Sequence, residues 1–170
     1  MNKPVSTAAI FLFLLGFAAA ADFPDEPPMK EGLWKIHMVT TSAGQPPIDS
    51  TFSLCRNHAY DQSVHAMAQK STSNCTIVSS AKLLGKLTMT VSCKVAGSTL
   101  TTRSVVSSSG DNSYHSETQT TFDPPLYGQS HSTMVQEQTF TGACPAGMNP
   151  GDRILSNGQI QHHGQMPQPH

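Results

Sequence analysis

Apolar and polar residues alternate along most of this chain with the two-residue period of half-buried β-strands. From Glu31 to Thr41, Trp34, Ile36 and Met38 fall on one face and Lys35 and His37 on the other. Gly44-Gln-Pro-Pro47 signals a turn, and Ser50 to Cys55 reads as a second short strand carrying Phe52 and Leu54. Asn57 is placed to cap a helix from His58 to about Gln69, with Ala59, Val64, Ala66 and Met67 available to pack inward. Residues 75–93 fold about Leu84, with the turn at Leu83 to Lys86. Ala81 then opposes Leu87, Ser79 opposes Met89, Ile77 opposes Val91, and Cys75 opposes Cys93. The other face of that hairpin carries Thr76, Lys82, Lys86, Thr88, Thr90, Ser92 and Lys94. Gly97 to Val106, Tyr114 to Phe122 and Gly128 to Phe140 supply further strands, and Asp123-Pro-Pro125 is expected to break the chain. The expected fold is mainly β: an antiparallel seven-strand meander curled into a sheet or a partly open barrel, with one short helix.

The first residues have another pattern. Lys3, the apolar run Ala8 to Ala19 and the small residues Ala18 to Ala21 read as a signal peptide over 1–21, cleaved before Asp22. The run is shorter than the ~20 residues that span a bilayer, so no membrane span is expected after cleavage. The periplasm or the secreted fraction is the expected destination. Residues 22–30 are an extended lead-in and 31–144 a β-domain. Residues 145–170 read as a disordered tail rich in Gly, Pro, Gln and His, in which Ile154-Leu155 offers an edge contact. Export places Cys55, Cys75, Cys93 and Cys144 in an oxidising compartment, where an even count favours disulfides. Directly opposed residues of a hairpin lie within disulfide reach, which selects Cys75–Cys93 and leaves Cys55–Cys144. The chain has no C-x-x-C spacing, which argues against zinc.

Composition narrows the function further. Without Lys3 the chain has nine basic residues against eleven acidic ones and no basic cluster, so nucleic acid is not an expected partner. Ser and Thr runs, such as Ser98-Thr99-Leu100-Thr101-Thr102, suit sheets with one solvated face. Gly128-Gln-Ser-His-Ser132 falls short of a nucleophile elbow, because Ser132 replaces the second glycine and a strand follows. Asp49, Asp61, Asp111, Glu117, Asp123 and Glu137 are scattered rather than paired on one face. Eight histidines include His37, His115 and His131 on strands and His162, His163 and His170 near Met166, a soft set suited to copper but without ligand spacing. No catalytic residue, metal site or cofactor is therefore assigned.

Glu31-Gly-Leu-Trp-Lys-Ile at the first strand resembles the opening of a bacterial family known as domain of unknown function 3617. Also similar are the cysteine ending the second strand, the helix after it, the cysteine-bracketed hairpin and the terminal Gly142-x-Cys144. The resemblance runs from about Lys30 to Cys144. Glu31 replaces the usual proline, and Ser/Thr strands replace Met- and Gly-rich ones. The family implies an exported, soluble, disulfide-bonded protein, but it supplies no activity and no functional residue to carry over. The expected function is a non-enzymatic binding module for a small apolar or lipid-like ligand. Its inner face would be built from Trp34, Ile36, Met38, Phe52, Leu54, Ile77, Met89 and Val91. The alternatives are an envelope interaction or stress-related protein acting through its surface and, more remotely, copper binding through His and Met.

Overall fold

A computed structural model describes residues 29–71 and 74–164. The expected signal peptide, most of the lead-in, and Met166 and His170 lie outside these residues. The strands are β1 Gly32–Ser42, β2 Ile48–Arg56, β3 Cys75–Leu83, β4 Lys86–Val95, β5 Ser98–Ser109, β6 Ser113–Leu126 and β7 Gln129–Gly142. Two short strands, β8 Arg153–Ile154 and β9 Ile160–Gln161, follow, and helix α1 spans His58–Ser71. All pairings are antiparallel, and the sheet order is β3-β4-β5-β6-β7-β1-β2-β8-β9. The sheet is therefore open, with β3 and β9 at its edges. The seven expected strands and the single helix are present.

Both disulfides have the expected partners, Cys55–Cys144 and Cys75–Cys93. At the helix start, the Tyr60 amide donates to Asn57 Oδ1 at 2.8 Å, which satisfies one of the orphan amides of the first turn. Gly32 is needed for close approach. A Cβ there would lie 2.3 Å from the Gly142 carbonyl oxygen and 2.8 Å from the Phe140 ring, where the β1–β7 register shifts.

Three local expectations are corrected. The hairpin pairs Cys75 with Cys93 and Ile77 with Val91, but Val78 then bulges, and Ser80 opposes Met89 and Lys82 opposes Leu87. The cause is the turn. Leu84 and Gly85 both have left-handed φ, the two-residue geometry that matches strand twist, whereas a centre on Leu84 would need a looser loop. Asp123-Pro-Pro125 distorts β6 without ending it. The strand runs to Leu126 through a register shift, with the Pro124 carbonyl accepting from Ser98 Oγ at 2.7 Å.

The reading of 145–170 as a disordered tail is corrected over 145–164, where the chain forms a strap along β2. Ile154 opposes Ser53, Arg153 opposes Leu54, and the Cys55 amide donates to the Asp152 carbonyl at 2.9 Å. Asp152 is only 1% exposed. Its carboxylate accepts from the Asn149 and His163 amides at 2.8 and 2.7 Å and lies 2.9 Å from His162 Nδ1. These bonds hold the carboxyl well below its usual range, at about 2, chiefly through the Asn149 and His163 amides. An apolar count missed the strap because one satisfied carboxylate anchors it.

Candidate functional site

Strand alternation turns one side chain in two toward α1, and the register aligns them across the sheet. At one end this inner face is filled. Trp34 is fully buried against Met29, Tyr114, Val106 and Phe140, with ring centroids 5.6 Å from Tyr114 and 5.7 Å from Phe140. Its indole N–H donates to the Lys30 carbonyl at 2.8 Å. Moving along the same strands, the inward positions become Ser104, Ser116, Thr118, Gln136 and Gln138. The hydroxyls among these are short side chains that do not fill the space beneath α1. A cavity of about 560 Å³ results, within the range of small-molecule sites.

Apolar walls come from Ile36, Phe52, Leu54, Leu87, Met89 and Val106. The helix contributes Tyr60, Asp61, Val64, His65 and Ala68, which recur at fourth-residue spacing along its inward face. Its own packing is sparse: Val64 remains 41% exposed, and Ala68 is exposed. Polar groups in the walls are partly satisfied within the protein. Arg56 donates from Nε to Asp61 Oδ1 at 2.8 Å and from a terminal nitrogen to Gln138 Oε1 at 3.0 Å. The Ser104 and Thr118 hydroxyls are 3.1 Å apart. Arg153 of the strap lies over the Phe52 ring at 5.2 Å and completes one wall.

The structure thus brings together four of the eight residues expected to face a ligand: Ile36, Phe52, Leu54 and Met89. Trp34 lies in the filled core instead. Met38 opposes the wall residue Gln136 but is not itself in the lining, and Ile77 and Val91 sit farther along the hairpin toward Cys75–Cys93. Of the residues chosen to pack inward from the helix, only Val64 does so. Looking for apolar residues alone missed Tyr60, Asp61, His65 and Ala68, because a helix over a half-polar cavity shows no apolar stripe. Their i, i+4 spacing was the signal available.

The remaining histidines lie elsewhere. His115, adjacent to inward Tyr114, points to the outer face, where Glu117 and Glu137 flank its two ring nitrogens. These carboxylates, Glu117 foremost, raise its pKa. His37 is 3.0 Å from Asp49. His162 is bonded to Asp152, and the His163 ring meets Tyr60 edge-on at 5.5 Å. Among the described residues, no three His, Cys, Asp or Glu side chains form a group able to hold a metal ion. Ser130 lies exposed within β7 rather than on a strand-to-helix turn. Among the described residues, no helix is long and apolar enough to cross a membrane.

An open antiparallel sheet carrying one helix over its inner face and two disulfides defines the class. The chain belongs to the protein of unknown function family DUF3617, whose model matches residues 29–144. The strap beyond Cys144, including Arg153 of the cavity wall, falls outside that match. No curated protein and no solved structure matches the chain.

Proposed function

We propose that this is an exported protein, cleaved before Asp22, that serves in the bacterial periplasm as a non-enzymatic binding module for a small lipid-like ligand. The observation that carries the reading is the cavity of about 560 Å³ between α1 and the sheet. Its walls are amphipathic. Ile36, Phe52, Leu54, Leu87 and Met89 suit an acyl or other apolar portion, while Ser116, Gln136 and Arg153 suit a polar end. The one carboxylate in the lining, Asp61, is held by Arg56, an arrangement that fixes the helix rather than activating a nucleophile.

Native mass spectrometry of protein purified gently from the periplasm tests this reading. The expected result is one added small molecule per chain, exchangeable for a medium-chain amphiphile in calorimetry. A bare chain that also gives no heat with amphiphiles would overturn it. The second reading, a protein acting through its surface, is favoured by the exposed leucines of the β3–β4 turn.

A further inference from the structure

Three two-residue turns place a residue other than Asn or Asp at left-handed φ before a glycine, at Leu84-Gly85, Ala96-Gly97 and Tyr127-Gly128, and only the first has two adjacent leucines in solvent, Leu83 and Leu84. The β3–β4 turn consists of Leu84 and Gly85, with φ of 48° and 74°. Two-residue turns of this kind favour Asn or Asp before Gly, because a left-handed residue crowds its Cβ against the backbone. Leucine takes that strain here without packing in return. Leu84 is 96% exposed and Leu83 71%. The strain is shared with the other two turns; what sets this one apart is a pair of adjacent exposed leucines between two lysines.

The surroundings indicate the partner. Lys82 and Lys86, both exposed, flank the two leucines. Lys86 opposes Leu83 across the ladder, and Lys82 opposes Leu87, a wall of the cavity, so the tip stands at the cavity rim. Asp111, in the neighbouring β5–β6 turn, has its charge offset by Lys30 at 3.1 Å.

We propose that the Lys82–Lys86 turn docks the protein on an anionic lipid surface. The leucines enter the interfacial zone, and the lysines extend their stems along them to meet headgroups. Two side chains offer far less than the roughly 800 Å² that a stable protein partner covers on each side. A lipid surface accepts so small a protrusion without a matching shape. The proposal does not require the cavity to be occupied, so it stands or falls separately from the binding reading.

The test is co-sedimentation of the chain beginning at Asp22 with phosphatidylcholine vesicles, with and without phosphatidylglycerol. Binding is expected only with phosphatidylglycerol and is expected to weaken in high salt. Leu84→Asn should lower the partition coefficient about tenfold while leaving thermal stability equal or higher, since Asn suits left-handed φ. Lys82→Gln with Lys86→Gln should remove the preference for phosphatidylglycerol. Three outcomes would overturn the proposal: no binding to phosphatidylglycerol vesicles, an unchanged partition for Leu84→Asn, or a dimer in sedimentation that Leu84→Asn dissolves. The last would make a second copy of the chain the occupant.

Discussion

The two ends of the inner face are made from the same strands by different rules. Around Trp34, aromatic and large apolar side chains from β1, β5, β6 and β7 pack against a fully buried indole, and Cys55–Cys144 ties β2 to the chain beyond β7. A few residues along, β5, β6 and β7 carry Ser104, Ser116, Thr118 and Gln136 at the equivalent inward positions, and α1 stands over the space they leave. Cys75–Cys93 staples the hairpin on that side. Stability and capacity are thus separated along the strand direction. The filled end supplies contacts, and the hydroxyl-lined end gives up some burial for volume.

The largest effect that sharpens this contrast comes from the staples. Loop-closure entropy for separations of 89 and 18 residues gives about 4.6 kcal/mol for Cys55–Cys144 and about 3.2 kcal/mol for Cys75–Cys93. Denaturant unfolding of the two Cys-to-Ser pairs should therefore rank the filled end's staple as the costlier loss. A reversed order would break the assignment of stability to that end. Next, Trp34→Ala should cost about 3–5 kcal/mol, whereas Met89→Ala, at the cavity wall, should cost only about 1–2 kcal/mol because fewer contacts are lost. Equal costs by urea titration would mean that the cavity region is packed as tightly as the core.

The strap gives a middle-sized effect. Asp152→Ala leaves the Asn149 and His163 amides without acceptors and should cost about 1–3 kcal/mol. The folded carboxyl titrates at about 2 against a usual 3.8. Its contribution is therefore complete above the usual value and is lost as pH falls from about 4 toward 2. Protection of the His163 amide against hydrogen exchange, relative to its intrinsic rate, should fall over that window, and protection that stays flat would show the strap to be held by something else. The smallest effect is expected inside the cavity. Replacing both members of the hydroxyl pair, Ser104→Ala with Thr118→Val, should change stability by less than about 0.5 kcal/mol, because neither group is left unpaired. A large loss by thermal denaturation would make the polar row a structural network rather than a lining.

Much of the fold was legible because strand alternation is a local signal that survives in any one sequence. Trp34, Ile36 and Met38 declare their common face without reference to anything distant, and the cysteine pairing followed from hairpin geometry. The register above Ile77 was not legible, since it depends on Leu84 accepting a left-handed backbone that leucine seldom adopts. The strap was missed because composition registers apolar burial and not the bonds of a single carboxylate. Four of the cavity's twenty lining residues, Ile36, Phe52, Leu54 and Met89, were readable from apolar alternation. The rest, Ser104, Thr118 and Gln136 among them, looked like solvated strand surface, because a polar side chain on the inner face of a strand carries no apolar signal.

The order of the strands sets a timetable. β1 is the first strand of the sheet to leave the ribosome, yet it lies between β2 and β7, with Trp34 opposite Phe140 roughly a hundred residues later. Pairings so distant in sequence place the fold among the slow-folding, high-contact-order topologies. The aromatic cluster cannot assemble until nearly the whole chain is present. A partly synthesised chain therefore has no means of completing its core early. The protein can become compact only after its last long strand has arrived.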